Sequence, residues 1–274
     1  MKKRTQIGFT LVEMAIVMFV MALMLGGGLT ILSAQQDQQK TEENSAKLNE
    51  VREALIGYVI ANQRLPCPAS STSNGLETFC TNALGTACGL PIVPPAAIPA
   101  HGRCTNPYNG FLPAVTLGLS PTDTQGYAMD SWGTVQSRIR YAVYEGRITG
   151  GTANYSTFTA SGEMAIATMS NIANFSSNNP LLSVCTNAIG ITSTTCNTAI
   201  ALTSQSPAVI FSLGENAMTG GTSANEAANL NGDPVFISRA LTSSAETGGE
   251  FDDQVNWLSL YILFNRMVQA GKLP

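Results

Sequence analysis

Residues 1–28 read MKKRTQIGFTLVEMAIVMFVMALMLGGG, and the fold turns on one acid, Glu13, placed inside an otherwise apolar run. From Phe9 to Leu32 the clearly polar residues are Thr10, Glu13 and Thr30. About 20 apolar residues suffice to cross a bilayer as a helix, so the pattern predicts a spanning segment over residues 9–32. A charged side chain at mid-bilayer costs about 2.5–3.5 kcal/mol on insertion scales, so Glu13 needs a compensating partner. Lys2, Lys3 and Arg4 precede the run with no acid among them, which holds that flank in the cytoplasm and puts everything after Leu32 on the outer side. The exit TILSAQQ offers Ile31 or Leu32 at minus three for a cut after Ser33 or Ala34. Secretory cleavage wants small residues there.

Beyond the run the chain turns polar, yet Leu48, Val51, Leu55, Tyr58 and Val59 recur at helical spacing with no proline before Pro66. The helix is therefore expected to continue, amphipathic, over residues 33–65. From Phe9 to Asn62 it would measure on the order of 80 Å at 1.5 Å per residue. Pro66 and Pro68 stop it. Gly26, Gly27 and Gly28 weaken a helix by about 1 kcal/mol each relative to alanine. Local flexibility and close helix packing are both readings of that triplet.

Residues 66–274 are long enough for one head domain with its own core. Residues 66–130, rich in proline and glycine, read as long loops. Strands are expected at RIRYAVYEG (138–146), where Ile139, Tyr141 and Val143 alternate, at GEMAIATM (162–169), at PAVIFSLGE (207–215) and at PVFISRAL (234–241). The tail predicts a strand near Val255 to Leu258 and a terminal helix ended by Gly271 and Pro274. The fold class is α+β: a long N-terminal helix packed on an antiparallel sheet in a disulfide-bearing head.

Six cysteines, Cys67, Cys80, Cys88, Cys104, Cys185 and Cys196, lie on the expected outer side, where an even number favours disulfides. Fifteen pairings are possible for six cysteines. Cys185 with Cys196 is the most local pair in its region, and Cys80 with Cys88 inside a Cys67 with Cys104 loop is a nested solution for the other four. Zinc is disfavoured by the absence of a CxxC pair and the single histidine, His101. The formal charge is −4 with only 12% charged residues, which argues against nucleic acid as a partner, since phosphate contact needs clustered Lys and Arg.

The segment KKRTQIGFTLVEMAIVM resembles the N-terminus of type IV prepilins and type II secretion pseudopilins: a basic leader ending at Gly8, then Phe9, with Glu13 fifth after the junction. The resemblance implies cleavage between Gly8 and Phe9 by a prepilin peptidase of the inner membrane and N-methylation of Phe9. It further implies assembly with other pilin or pseudopilin subunits on an inner-membrane platform, Glu13 pairing with the Phe9 amine of a neighbouring subunit. Residues 1–8 would be the cytoplasmic leader, and the head would lie in the periplasm and then in a periplasmic or cell-surface filament. Without its leader the chain carries eleven basic residues against eighteen acids, a formal −7. Many type IV pilins carry a proline in the membrane half of the helix, where this chain has Thr30. YAMDSWGTVQSRIRYAVYE resembles the Asp-x-Trp-Gly turn before a strand in pseudopilin heads. LPCPA and FNRMVQAGKLP are similar to a larger-headed subset of prepilin-like proteins, and a large, cysteine-bearing head suggests a minor or adhesive component, since head bulk limits close packing of a major subunit. The secretion tip subunit usually lacks the fifth-position acid, so Glu13 argues against that role.

Two readings from other classes stand beside this one: a membrane-anchored hydrolase on the outer face and a plain single-span binding protein. The hydrolase has little behind it. No G-x-S-x-G elbow occurs, and His101 sits in a proline and glycine loop, so no enzyme is expected. Asn225, Glu226, Asn229, Asn231 and Asp233 offer oxygen ligands of the kind calcium takes, with Asp252 and Asp253 as further contributors. Calcium is a weak expectation here, chiefly on Asn229, Asn231 and Asp233, because the segment lacks EF-hand spacing and Asx-rich turns are common without metal.

Overall fold

The computed structural model describes residues 10–91, 97–147, 150–166, 181–221, 223–246 and 248–273, giving the backbone alone for 24–34, 90 and 91. The chain divides into two compact units, Met1–Glu43 and Asn44–Pro274. The division falls within the stretch expected as the amphipathic continuation, and helix α1 (Leu11–Asn62) contributes to both units.

In the first unit α1 begins with a reciprocal cap. The Thr10 carbonyl accepts the first helical bond from Met14 N at 3.2 Å. Thr10 Oγ1 accepts from Glu13 N at 3.3 Å, while Glu13 Oε2 accepts from Thr10 N at 2.9 Å. This capping box is written in the sequence as Thr-Leu-Val-Glu. Large apolar side chains then stand exposed on every side of the helix, from Leu11 at 86% to Leu23 at 62%. Further along, Gln38 donates to Glu42 and Gln39 to Glu43, each at 3.0 Å, the i,i+4 ties of a solvated helix. Among the described residues no helix is long and apolar enough to cross a membrane. The expected span over 9–32 extends into Met24–Leu32, whose side chains lie outside the described residues; the described part, 10–23, is about 20 Å of helix against a hydrocarbon core of about 30 Å.

In the second unit, Leu48, Val51, Leu55, Ile56 and Val59 of α1 are buried; Tyr58, expected in the stripe, is half-buried. The helix ends at Asn62. Gln63 takes φ 57° and its N–H bonds Val59 O at 2.7 Å, after which Leu65 N bonds Phe158 O at 2.6 Å and the proline segment follows.

That helical stripe covers one face of a four-stranded antiparallel sheet, in the order β3 (Gly110–Phe111), β4 (Arg140–Val143), β7 (Ala208–Ser212), β9 (Gln254–Leu258). Tyr141, Val143, Ala208, Ile210 and Leu258 share this core with α1 and with the last helix, α4 (Leu260–Gln269), through Leu263, Phe264 and Met267. Ala142, Val209 and Phe211 point the other way, into a second core with Leu182, Val184 and Phe236. Phe211 and Phe236 bring their ring centroids to 5.5 Å. Burial on both faces explains why β4 and β7 are buried almost throughout.

The second core belongs to a three-stranded sheet, β6 (Ala201–Ser206), β5 (Leu182–Cys185), β8 (Val235–Ile237), in which β5 and β8 run parallel. The expectation of an antiparallel sheet is thus corrected: the sheet beneath the helix is antiparallel, but another, mixed sheet backs it. A parallel pair needs a long crossover, here about fifty residues containing β6, β7 and α3 (Ala224–Leu230). The residues 66–130 hold more order than expected: the hairpin β1 (Thr78–Cys80) with β2 (Cys88–Pro91), strand β3 and helix α2 (Ala114–Leu117). Of the strand expected at GEMAIATM (162–169), the described part is instead a 3₁₀ turn at Glu163–Ile166, and 167–169 lie outside the described residues. Gly162 at φ 81° reverses the chain just before it, Met164 fills the first core, and Glu163 Oε2 accepts from Thr152 N at 3.0 Å.

Candidate functional site

Of the residues expected at the processing site, Lys2, Lys3, Arg4, Gly8 and Phe9 lie outside the described residues. Glu13 is described, and its carboxylate does more than the run of apolar neighbours suggests. Besides the Thr10 amide it accepts from Thr10 Oγ1 at 2.9 Å, so one acid holds both polar groups at the head of α1. The first four amides of a helix have no internal acceptor, and in an apolar setting each would be expensive to leave bare. Glu13 therefore acts on its own helix before any neighbour is considered. The reciprocal bonds leave its other oxygen, Oε1, outside the cap.

The candidate calcium ligands are sorted differently by the fold. Asn231 and Asp233 build a local turn: Asn231 Nδ2 donates to Asp233 Oδ2 at 2.8 Å, Asp233 N to Asn231 Oδ1 at 2.9 Å and Val235 N to Asp233 Oδ1 at 2.9 Å. Asn229 serves the sheet, accepting from Ile237 N at 2.7 Å and donating to Asp253 Oδ2 at 2.7 Å. Asn225 accepts from Ala188 N at 2.8 Å. What the fold does bring together is Glu226, Asp252 and Asp253, with one oxygen of each within 4.8 Å of the others.

Glu226 closes a second capping box with Ser223 at the start of α3. Its Oε1 also accepts from Asn216 Nδ2 at 3.0 Å and from Asp252 N at 3.2 Å. Gly214, at φ 68°, lets the 213–216 loop lie on Asp252, where any Cβ would overlap the carboxylate. Burial, with the Glu226 charge beside it, pushes Asp252 up to about 6. Burial, with the Glu226 and Asp252 charges nearby, pushes Asp253 up to about 8 despite the bond from Asn229. At neutral pH Asp253 thus holds its proton, and the trio is a hydrogen-bonded, partly protonated cluster. Spacing along the chain hides it, because Glu226 and the Asp pair are separated by strand β8.

The disulfides are Cys67–Cys104, Cys80–Cys88 and Cys185–Cys196. The first joins the segment after α1 to the first core, the second ties the β1–β2 hairpin, and the third lies in a small core with Val235, Ile237 and Phe251. Beside the first sits a pair that sequence reading missed. Arg64 and Glu77, both nearly inaccessible, form a two-pronged ion pair at 2.6 and 2.8 Å. Glu77 also accepts from Cys67 N at 3.1 Å, and Arg64 donates to Tyr58 OH at 2.7 Å. Burial raises the Tyr58 hydroxyl to about 12, assisted by the Glu77 charge. No periodicity reports a pairing between a helix end and a loop.

His101 has its Nδ1 accepting from Arg103 N at 3.0 Å, and burial followed by the Arg103 charge lowers its pKa. Among the described residues no serine hydroxyl is hydrogen-bonded to it.

Residues 3–29 match the family model described as the prokaryotic N-terminal methylation motif. The chain thus carries the prepilin-type cleavage and methylation segment of type IV pilins and pseudopilins, which indicates a type IV pilin-like or pseudopilin precursor. No curated protein and no solved structure matches the chain.

Proposed function

We propose that this protein is a structural filament subunit, a minor pilin or pseudopilin. Held in the bacterial inner membrane by residues 9–32, it is cut between Gly8 and Phe9 by the prepilin peptidase, methylated on Phe9 and assembled with other subunits through its N-terminal helix. The observation that carries this reading is the surface of Leu11–Leu23. A helix apolar on all sides is a buried helix, and here large side chains such as Leu11, Met18 and Phe19 are bare. Lipid covers them before assembly and neighbouring helices cover them after it.

Glu13 gives that assembly a register. Cleavage exposes an α-amine at Phe9, cationic near neutral pH with an ordinary pKa close to about 8. Apolar helices in lipid gain little from hydrophobicity in associating, so a charge pair supplies both attraction and axial height. The cap on Thr10 holds the Glu13 carboxylate in the first turn of the helix, where the Phe9 amine of an incoming subunit is to meet it. The reading needs no cofactor and no catalysis by the chain itself. The bulk of the head and its three disulfides support a minor rather than a major component.

The test is made in cells with an active prepilin peptidase. Mass spectrometry of the membrane fraction is expected to find a chain beginning at methylated Phe9, and Gly8→Ala to leave the precursor uncut. Glu13→Val is expected to be inserted and cut but to enter sheared filaments poorly, with Glu13→Gln intermediate. An uncut wild-type chain would overturn the processing, and wild-type incorporation of Glu13→Val would remove the acid from assembly.

A further inference from the structure

Arg138 and Arg140 stand two residues apart at the start of β4, and the fold treats them unequally. Arg138 is neutralised: its Nη2 lies 2.6 Å from Asp123 Oδ2, its Nε donates to the same oxygen at 2.8 Å, and its guanidinium rests 4.1 Å from the Tyr127 ring centroid. Arg140 is opposite Phe111 on one side and Phe211 on the other, with its guanidinium 4.3 Å from the Phe111 centroid. Among the described residues its side chain has one hydrogen-bond partner, a neutral amide oxygen, Asn109 Oδ1, at 3.3 Å from Nη1. Its Nε is buried without a partner, and no carboxylate pairs with it among the described residues.

Burial and the neighbouring Arg138 charge both disfavour the charged form of Arg140, yet a guanidinium stays protonated in proteins. A largely desolvated cation without a counter-charge is costly, and natural folds keep such groups where a ligand supplies the missing charge. The position has room for one. Arg140 lines a cavity of about 220 Å³ together with Arg138, Phe111, Gln136, Leu213 and Leu230. Asn109 ties two of its lining residues together, donating to Leu230 O at 2.8 Å and accepting from Arg140 at 3.3 Å. The cavity is below the size of a typical drug-like site, so the ligand is small or is one side chain of something larger.

We propose that this cavity is a binding site for a carboxylate carried on a short apolar body. The carboxylate pairs with the Arg140 guanidinium where that group lines the cavity, supplying the charge that its neighbours do not. The apolar body lies against Phe111, Leu213 and Leu230. Arg138, already paired with Asp123, adds field without competing. The carboxylate can come from a free organic acid or from an Asp or Glu side chain of an adjacent subunit. The binding itself does not rest on the filament reading.

The full-length protein in detergent is titrated with benzoate and, as the uncharged isostere, benzamide. Saturable benzoate binding is expected, with benzamide at least about tenfold weaker because it cannot offset a charge. The Arg140 Nε–H resonance of the nitrogen-labelled protein is expected to shift on addition of benzoate. Arg140→Gln is expected to abolish binding without lowering the thermal midpoint, and Arg147→Gln, at an exposed arginine, to leave binding unchanged. Assembled filaments then separate the two sources. If they still take up benzoate the ligand is a free acid, and if they exclude it while Arg140→Gln lowers filament yield, a neighbour's carboxylate fills the cavity. Equal affinity for benzoate and benzamide, benzoate binding retained in Arg140→Gln, or no shift of the Nε–H resonance would overturn the proposal.

Discussion

Helix α1 has two halves that the same backbone geometry treats alike and their surroundings treat differently. Over Leu11–Leu23 nearly every side chain is apolar and exposed; over Asn44–Asn62 a single stripe, Leu48, Val51, Leu55 and Val59, is buried while Arg52, Glu53 and Asn62 face outward. A stripe can be satisfied by one sheet. A surface apolar all round needs a medium that surrounds it, which in the proposed function is lipid or neighbouring helices, while the stripe needs only the head. Substitutions in the two halves should therefore report through different measurements, and the contrast can be broken at several points.

The largest effect is expected just past the helix end. Glu77→Gln leaves Arg64 buried with its charge uncompensated, a loss of about 3–5 kcal/mol, read as a fall in the thermal midpoint of the second unit. Replacing both partners, Arg64→Met with Glu77→Leu, should recover most of it. A Glu77→Gln midpoint equal to wild type would show that the pair does not hold the helix end. Next, Leu55→Ala removes a fully buried side chain and is expected to cost about 2–5 kcal/mol. Val17→Ala, in the exposed half, should leave the midpoint unchanged and act on filament yield. If the two substitutions lower the midpoint equally, the contrast between the halves fails.

A smaller effect concerns pH. Asp252 and Asp253 have folded pKa values raised from 3.8, to about 6 and about 8, so the folded state binds protons that the unfolded chain releases. Their contribution is fully present at acid pH and is lost as pH rises toward about 8. The thermal midpoint is expected to fall between about pH 4 and about pH 8, and Asp253→Asn, which mimics the protonated acid, to reduce that fall. An identical pH profile in the variant would mean that Asp253 titrates normally. The smallest effect is at the other end of α1. Thr10→Ala removes half of the capping box and should speed amide exchange at Leu11, Val12 and Glu13 while leaving the second unit's midpoint untouched; unchanged exchange there would count against the cap.

Much of α1 could be read from residue order because its determinants are local. The apolar run, the Thr-x-x-Glu start and the proline stop each act within a turn or two of the helix. Strands β4, β7, β8 and β9 were likewise visible in short apolar or alternating runs bounded by Gly, Pro or Asn, and Gly271, at φ 65°, closes the last helix where the chain suggested. Glu13 was legible as an anomaly of polarity at a fixed offset from a Gly-Phe junction, although its bond to Thr10 was not drawn from it.

The remainder depended on which distant segments meet. LLSVC (181–185) is too short to declare itself, and its parallel pairing with β8 becomes favourable only when Leu182 and Val184 bury against Phe211 and Phe236. GEMAIATM resembles a strand by composition, but Met164 reaches the first core from a 3₁₀ turn instead. Arg64 with Glu77, and Glu226 with Asp252 and Asp253, are ordinary surface residue types whose chemistry changes because packing removes water from them. Even the unpaired charge of Arg140 is absent from the order of residues, since an arginine on a strand lacks a partner only when the fold has carried the described carboxylates out of its reach.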